Sequence, residues 1–107
     1  MTVVRVLRLC ATSDLGLGEV RRFDVDGASV CLARCADGFH AVADTCSHED
    51  FSLSEGEVDP EACEIECWKH GSLFSLLSGE PLTLPATRAV AVYEVSVEGA
   101  DVMVRLP

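Results

Sequence analysis

Two short segments of this chain contain both cysteine and histidine. The first reads Cys46-Ser47-His48, and the second, eighteen residues later, reads Cys67-Trp68-Lys69-His70. Two of the six cysteines and two of the three histidines in the 107-residue chain fall in these seven positions. Because thiolates and imidazoles are good ligands for transition metals, the sequence predicts a metal site made of these two cysteine–histidine pairs.

The arrangement of the pairs bears on the kind of metal site. Zinc is the usual metal for two cysteines and two histidines, but a zinc finger commonly pairs Cys with Cys and His with His. Here each segment supplies one of each, and Gly71-Ser72 directly after His70 is a poor place for the helix of a zinc finger. Two similar loops that meet face to face can place both thiolates on one iron and both imidazoles on the other. That is the ligand division of a Rieske [2Fe-2S] centre, with a structural zinc domain as the alternative.

The surrounding residues resemble the Rieske family, in particular the small ferredoxins of bacterial multicomponent ring-hydroxylating oxygenases. The resemblance covers most of the chain and is strongest in Cys46-Ser47-His48, Leu53-Ser54-Glu55-Gly56, Cys67-Trp68-Lys69-His70-Gly71-Ser72 and Leu84-Pro85-Ala86. It implies one [2Fe-2S] cluster per chain, with Cys46 and Cys67 on the inner iron. His48 and His70 would then bind the outer iron, and Leu84-Pro85-Ala86 would form a third loop that shields the cluster.

The resemblance also implies an electron carrier rather than an enzyme. A ferredoxin of this kind accepts one electron from a reductase and delivers it, through transient complexes, to a terminal non-haem iron oxygenase that acts on the substrate. The alternative is a Rieske protein with a redox-sensing or iron-sulfur-assembly role and no oxygenase partner. Nothing in the sequence identifies a substrate.

Two departures from the high-potential Rieske proteins of respiratory complexes predict a low reduction potential. Those proteins carry an extra cysteine in each cluster loop, joined as a disulfide, and neither loop here supplies one. They also have a tyrosine whose hydroxyl donates to a ligating sulfur, where this chain has Phe74. Since a hydrogen bond to a charged group is worth about 1.5–3 kcal/mol, its absence lowers the potential by roughly 65–130 mV. We expect a value of roughly −150 mV, with Ser72 as a remaining donor to a bridging sulfide.

The alternation of apolar and polar residues predicts an all-β fold. Strands are expected at about 3–9, at 21–25 and 29–34 around the turn Asp26-Gly27, at 39–43, around Val90 to Val97, and at 102–106. Glycine and proline are frequent in the intervening part. The predicted architecture is a Rieske-type antiparallel β-sandwich or barrel base (1–43 and 88–107) with an inserted loop-rich cluster-binding subdomain (about 44–87). Together these form one domain, 1–107.

The charge and composition restrict the partners and the compartment. Eighteen acidic and eight basic side chains give a formal net charge of −10. This charge excludes nucleic acid as a partner; it either suits a basic patch on another protein or only keeps the chain soluble. Arg5 and Arg8 interrupt the opening segment, so no export signal is expected, and no apolar run approaches the roughly 20 residues that span a bilayer. We therefore expect a cytoplasmic monomer without membrane association, in which clustered cysteines bind metal rather than form disulfides.

The other cysteines and His40 are expected to be structural. Cys10, Cys31 and Cys35 lie on or beside predicted strands, where free cysteine is usually a small buried residue. Cys63 stands four residues before Cys67, but a C-x3-C metal site is disfavoured because His70 completes a better set.

Side chains near the Cys/His segments are candidates for contact with a partner. Trp68 either packs around the cluster or docks against another protein, and packing is the preferred interpretation. An acidic rim near the cluster, as opposed to a merely solvated loop, would consist of Glu49, Asp50, Glu55 and Glu57.

Overall fold

The fold is built from short antiparallel strands. The computed structural model describes residues 5–44, 52–68, 71–84 and 88–106. The strands are β1 (Arg5–Ala11), β2 (Val20–Val25), β3 (Ala28–Cys35), β4 (Gly38–Ala43), β5 (Glu57–Asp59), β6 (Glu64–Glu66), β7 (Leu73–Ser75), β8 (Val92–Glu98) and β9 (Asp101–Leu106). Two short 3-10 turns, Thr12–Asp14 and Leu53–Glu55, complete the regular structure of the described residues. The predicted all-β class is confirmed.

The strands form two sheets. The larger has the order β1-β9-β8-β4-β3-β2, and the smaller has the order β5-β6-β7. Every pairing of neighbouring strands is antiparallel. The smaller sheet is inserted in the chain between β4 and β8, which pair with each other in the larger sheet. None of the described helices is long and apolar enough to cross a membrane.

The β2–β3 hairpin forms where the sequence predicts it. Val25 pairs with Ala28, which leaves a two-residue turn of Asp26 (φ 50°) and Gly27 (φ 82°). Positive φ at both central residues matches the right-handed twist of the flanking strands, and Asp-Gly adopts it at low steric cost. The predicted final strand pair is present too, but Val90 lies before β8 rather than within it. Its N–H donates to the carbonyl of Gly79 at 2.8 Å, so Val90 joins the inserted part instead of the β8 ladder.

Strand β3 is buried on both faces. Side chains alternate across a strand, so Val30 and Leu32 enter one apolar cluster while Cys31, Ala33 and Cys35 enter another. The first cluster also contains Leu9, Cys10, Leu15, Ala41, Val102, Val104 and Leu106. The second also contains Val42, Leu53, Cys63, Ile65, Cys67, Phe74, Leu76 and Val90. The smaller sheet is therefore held against the larger one by the burial of apolar side chains on one face of β3.

Candidate metal centre

Cys67 is the one predicted ligand among the residues that the structure describes. It follows β6, and the alternation of that strand puts it on the same face as Ile65. Ile65 is fully buried, Cys67 is 1% exposed, and both belong to the apolar cluster that packs on β3. Cys46, His48 and His70 lie outside the described residues.

The segment that begins with Cys67 turns back on itself at once. The backbone N–H of Cys67 donates to the carbonyl of Ser72 at 2.8 Å, and the N–H of Gly71 donates to the carbonyl of Cys67 at 2.9 Å. Gly71 has φ +73°, a conformation that glycine adopts without steric cost. Ser72 is only 1% exposed. These contacts close the ends of the second Cys/His segment.

Asp44 closes the ends of the first Cys/His segment. Its carboxylate is 2% exposed and accepts hydrogen bonds from the Ser52 hydroxyl and from the N–H of Ser54, the latter at 2.9 Å. Its backbone carbonyl accepts the N–H of Leu53 at 2.6 Å. Arg22 Nε lies 3.6 Å from the same carboxylate. We call this arrangement the Asp44 clamp; it joins the residues on either side of 45–51, the segment that contains Cys46 and His48.

The smaller sheet brings the ends of both segments together. Glu57 on β5 and Leu73 on β7 both pair with Glu66 on β6. Because neighbouring strands are antiparallel, the chain before Glu57, the chain after Glu66 and the chain before Leu73 all leave the sheet at the same end. The backbones approach closely there, since a Cβ on Gly56 would lie 1.8 Å from the carbonyl oxygen of Glu66.

The third predicted loop starts at this end of the sheet as well. The N–H of Leu73 donates to Thr83 Oγ1 at 2.8 Å, and the N–H of Leu82 donates to the carbonyl of Leu73 at 2.6 Å. Leu84 is 78% exposed, and Pro85 and Ala86 lie outside the described residues. Three segments with the resemblance motifs are thus anchored around the buried Cys67. A buried thiol at this junction, with further cysteine and histidine on the adjoining segments, has the donor chemistry that a [2Fe-2S] cluster requires.

The surface beside Cys67 combines an aromatic side chain with carboxylates. Trp68 is 47% exposed, so about half of its side chain is open to contact with a partner. A shallow depression of about 260 Å³ is lined by Trp68, Gly56 and three glutamates, Glu55, Glu57 and Glu66. Glu66 was not part of the predicted acidic rim; its place opposite Glu57 in the β5–β6 ladder is a tertiary feature. Glu49 and Asp50 lie outside the described residues.

The remaining sequence predictions have mixed outcomes. Cys10, Cys31 and Cys35 are buried, as predicted. A C-x3-C site is not what Cys63 forms in this structure, because its Sγ lies 2.7 Å from Cys35 Sγ. His40 lies on β4, with Nε2 2.9 Å from Asp37 Oδ1. Sequence reasoning missed that one group brings together Cys35, Asp37, His40 and Cys63. The available signal was the spacing Cys35-x-Asp37-x2-His40 across a hairpin turn.

Comparison with known proteins places these features in a family. Residues 5–94 match the Rieske [2Fe-2S] domain. Ferredoxin CarAc of Metapseudomonas resinovorans is 40% identical over 99 residues, which cover 92% of this chain and 91% of that protein. The 3-phenylpropionate/cinnamic acid dioxygenase ferredoxin subunit of Escherichia coli (strain K12) is 38% identical over 98 residues, with the same two coverages.

Solved structures agree with the sequence matches. The ferredoxin of carbazole 1,9a-dioxygenase from Nocardioides aromaticivorans IC177 is 34% identical with a TM-score of 0.89, over 92% of this chain and 95% of that one. A chain in the complex of reduced oxygenase and oxidized ferredoxin in carbazole 1,9a-dioxygenase is 40% identical with a TM-score of 0.85, over 92% and 99%. The predicted Rieske-type fold is confirmed, and this chain belongs to the Rieske [2Fe-2S] domain family.

Proposed function

We propose that this chain is the ferredoxin of a multicomponent oxygenase system, which takes an electron from a reductase and passes it to a terminal non-haem iron oxygenase. The observation that supports this most directly is the placement of a buried Cys67 next to an exposed Trp68, at the sheet end where the three motif segments are anchored. Relatives at 38–40% identity over most of the chain are named as ferredoxins, one of them a dioxygenase subunit. Chemistry on the substrate belongs to the oxygenase partner, so this chain is not itself an enzyme.

We assign the ligands of one [2Fe-2S] cluster per chain to four side chains. Cys46 and Cys67 bind one iron, and His48 and His70 bind the other. When bound, such a cluster accepts and releases one electron at a potential that is set by its ligands and surroundings. The base at 1–43 and 88–107 and the cluster-binding part at about 44–87 form a single domain in this proposal, and the chain acts as a cytoplasmic monomer.

The described residues have distinct parts in this function. The apolar cluster around Cys67 excludes water from the sulfur end of the site, since Ile65 and Phe74 are fully buried beside it. The Asp44 clamp and the Cys67–Ser72 backbone bond hold the two ligand segments in place when the charge of the site changes. A rigid site needs little rearrangement on reduction, which favours fast electron transfer.

Trp68 and the neighbouring carboxylates provide a docking surface. An exposed aromatic side chain is a frequent anchor in transient interfaces. Glu55, Glu57 and Glu66 surround it in a chain of net charge −10, so a basic patch on a partner would be attracted to this surface. A small charged interface dissociates readily, as a shuttle between a reductase and an oxygenase must.

The ligand assignment is tested by spectroscopy and electron delivery together. The protein is purified anaerobically and reduced, and its electron paramagnetic resonance spectrum should show a lower average g than an all-cysteine [2Fe-2S] cluster. Cys67→Ser and His70→Ala should each abolish this signal and the reduction of an oxygenase partner, whereas Cys10→Ala, at a buried cysteine of the other apolar cluster, should retain both. Normal electron delivery by the His70→Ala protein would contradict the assignment.

A further inference from the structure

Four potential metal ligands meet at the junction of the two sheets, away from the cluster segments. Cys35 ends β3, Asp37 lies in the β3–β4 turn, His40 lies on β4 and Cys63 precedes β6. One ligand atom from each of the four lies within 4.8 Å of the others. Cys63 lies directly before β6 and Cys67 directly after it. At the rise per residue of a β-strand, the two cysteines are about 13 Å apart along the chain, so this group is separate from the Rieske site.

The backbone fixes three elements around this group. The N–H of Ala36 in the β3–β4 turn donates to the carbonyl of Pro60 at 2.8 Å, which holds the hairpin against the loop that contains Cys63. The N–H of Leu76, after β7, donates to the carbonyl of Cys63 at 2.9 Å. Cys63 itself has φ +55°, a left-handed conformation that is uncommon for residues other than glycine. Such a conformation persists when the surrounding structure fixes it, and it frequently occurs at functional sites.

The four side chains form a site with a buried sulfur end and an accessible nitrogen–oxygen end. Cys35 and Cys63 are 2% and 5% exposed, and their Sγ atoms are 2.7 Å apart. The His40 and Asp37 side chains are 21% and 61% exposed, with Nε2 and Oδ1 2.9 Å apart. A metal ion could therefore enter from the surface and reach both sulfurs.

We propose that Cys35, Asp37, His40 and Cys63 bind one zinc ion. Thiolate, imidazole and carboxylate are the protein ligands of zinc, and four of them complete the tetrahedral coordination of a structural site. With Zn–S bonds of about 2.3 Å, tetrahedral geometry separates two sulfurs by about 3.8 Å, so the thiols must open by about 1.1 Å. That is within reach of a rotation of the two side chains. On binding, each thiol releases its proton to solvent, and His40 binds as neutral imidazole.

Zinc binding would have to displace the protons of two buried thiols. Burial raises the pKa of the Cys35 thiol, and the neighbouring Cys63 raises it further. Burial likewise raises the pKa of Cys63. Both thiols consequently stay protonated at neutral pH unless a positive charge compensates two buried thiolates, and a zinc ion supplies that charge. A Cys35–Cys63 disulfide would use only two of the four groups and leave the convergence of Asp37 and His40 without a role.

The proposed zinc ion would connect the two sheets. Three of its ligands belong to the β3–β4 hairpin of the larger sheet, and the fourth leads into β6 of the smaller one. Its function is thus structural: it fixes the cluster-binding part to the base without taking part in electron transfer.

The test measures zinc, iron and sulfide in the same holoprotein. The full-length protein is purified anaerobically from zinc-supplemented medium, and its metals are quantified by mass spectrometry. We expect one zinc per chain in addition to the cluster iron. Cys63→Ala should lose the zinc and keep the iron and the Rieske spectrum, so this result is independent of the proposed electron-carrier function. Cys31→Ala, the same truncation at another buried cysteine of the same apolar cluster, should retain zinc.

A variant at the surface removes the risk that the buried substitution simply unfolds the protein. Asp37 is exposed, so Asp37→Ala should fold normally and bind zinc at least about tenfold more weakly in competition with a chelator. Cobalt added to zinc-free protein should give thiolate-to-cobalt absorption bands that Cys63→Ala lacks. Zinc that is absent from the wild type, or that is unchanged in both the Asp37 and the Cys63 variants, would overturn the proposal. A Cys35–Cys63 disulfide, identified by peptide mass in zinc-supplemented protein, would overturn it as well.

Discussion

The Asp44 clamp should control how fast the cluster is lost. The Asp44 carboxylate is nearly inaccessible, and it accepts one hydrogen bond from Ser52 Oγ and one from the Ser54 N–H. These bonds join the chain on both sides of the segment that contains Cys46 and His48. If the clamp opens, that segment is released, so the equilibrium for opening should set the rate at which ligands leave the iron.

The magnitude follows from the two bonds that Asp44→Ala removes. A hydrogen bond to a charged acceptor is worth about 1.5–3 kcal/mol, which gives about 3–6 kcal/mol for the pair. The lower end applies because both serines are only partly buried and their hydroxyls can still contact each other, 2.8 Å apart. A loss of about 3 kcal/mol corresponds to roughly 100-fold in the opening equilibrium. Asp44→Asn keeps the shape and one acceptor oxygen but loses the charge, so about tenfold is expected.

The loss of the cluster is measured anaerobically, as the decrease of the visible Rieske absorbance in the presence of an iron chelator. Asp24→Ala is a matched control, because Asp24 also accepts hydrogen bonds from a serine and from Arg22, at 2.9 and 3.0 Å, but its side chain is 67% exposed. Its replacement should leave the rate almost unchanged, since solvent screens and replaces exposed interactions. Release from Asp44→Ala within threefold of the wild-type rate would refute the clamp.

Three further predictions concern docking, pH and backbone geometry. In stopped-flow mixing, Trp68→Ala should slow the reduction of an oxygenase partner at least about tenfold while the Rieske spectrum stays unchanged. Glu57→Lys should also slow this reduction, by an amount that shrinks as salt is added. Normal rates for both variants would refute the proposed docking surface. Burial, with a contribution from Asp44, raises the pKa of the Cys31 thiol above its unfolded value, so the folded state keeps this proton longer and stability is lost as the pH rises above about 8.5. Urea denaturation should show that Cys31→Ala reduces this loss of stability by up to about 1.4 kcal/mol per pH unit. If the dependence of the unfolding free energy on pH is the same in the variant, the Cys31 thiol is not its cause. Gly79→Ala should lower the melting temperature far more than Gly27→Ala. The two φ angles are alike (75° and 82°), but only a Cβ at position 79 would meet a carbonyl oxygen, that of Val90, at 2.2 Å. Equal losses of melting temperature would show that this contact is irrelevant.

The predictable parts of the fold are those that local sequence determines. Asp26-Gly27 specifies a two-residue turn by itself, and the alternation of β6 is enough to place Cys67 on a buried face. The ligand motifs likewise depend on short spacing, so the family is recognisable from the amino-acid sequence alone.

Features that join distant parts of the chain were not predictable in this way. The thiols of Cys35 and Cys63 meet across 28 positions, and the Asp44 carboxylate accepts the Ser52 hydroxyl from the other side of the segment 45–51. Trp68 could have been packed or exposed, since its neighbours in sequence are compatible with both. In each case the outcome depends on tertiary packing, which no periodicity in a single segment encodes.

The burial of β3 on both faces has a consequence for attempts to reduce this protein to a minimal scaffold. Removing the middle third of the chain and rejoining its flanks would expose the buried apolar side chains of Cys31, Ala33 and Cys35 to water. The truncated protein would self-associate through these exposed side chains. A shortened electron carrier must therefore keep the inserted segment or have polar residues at these three positions.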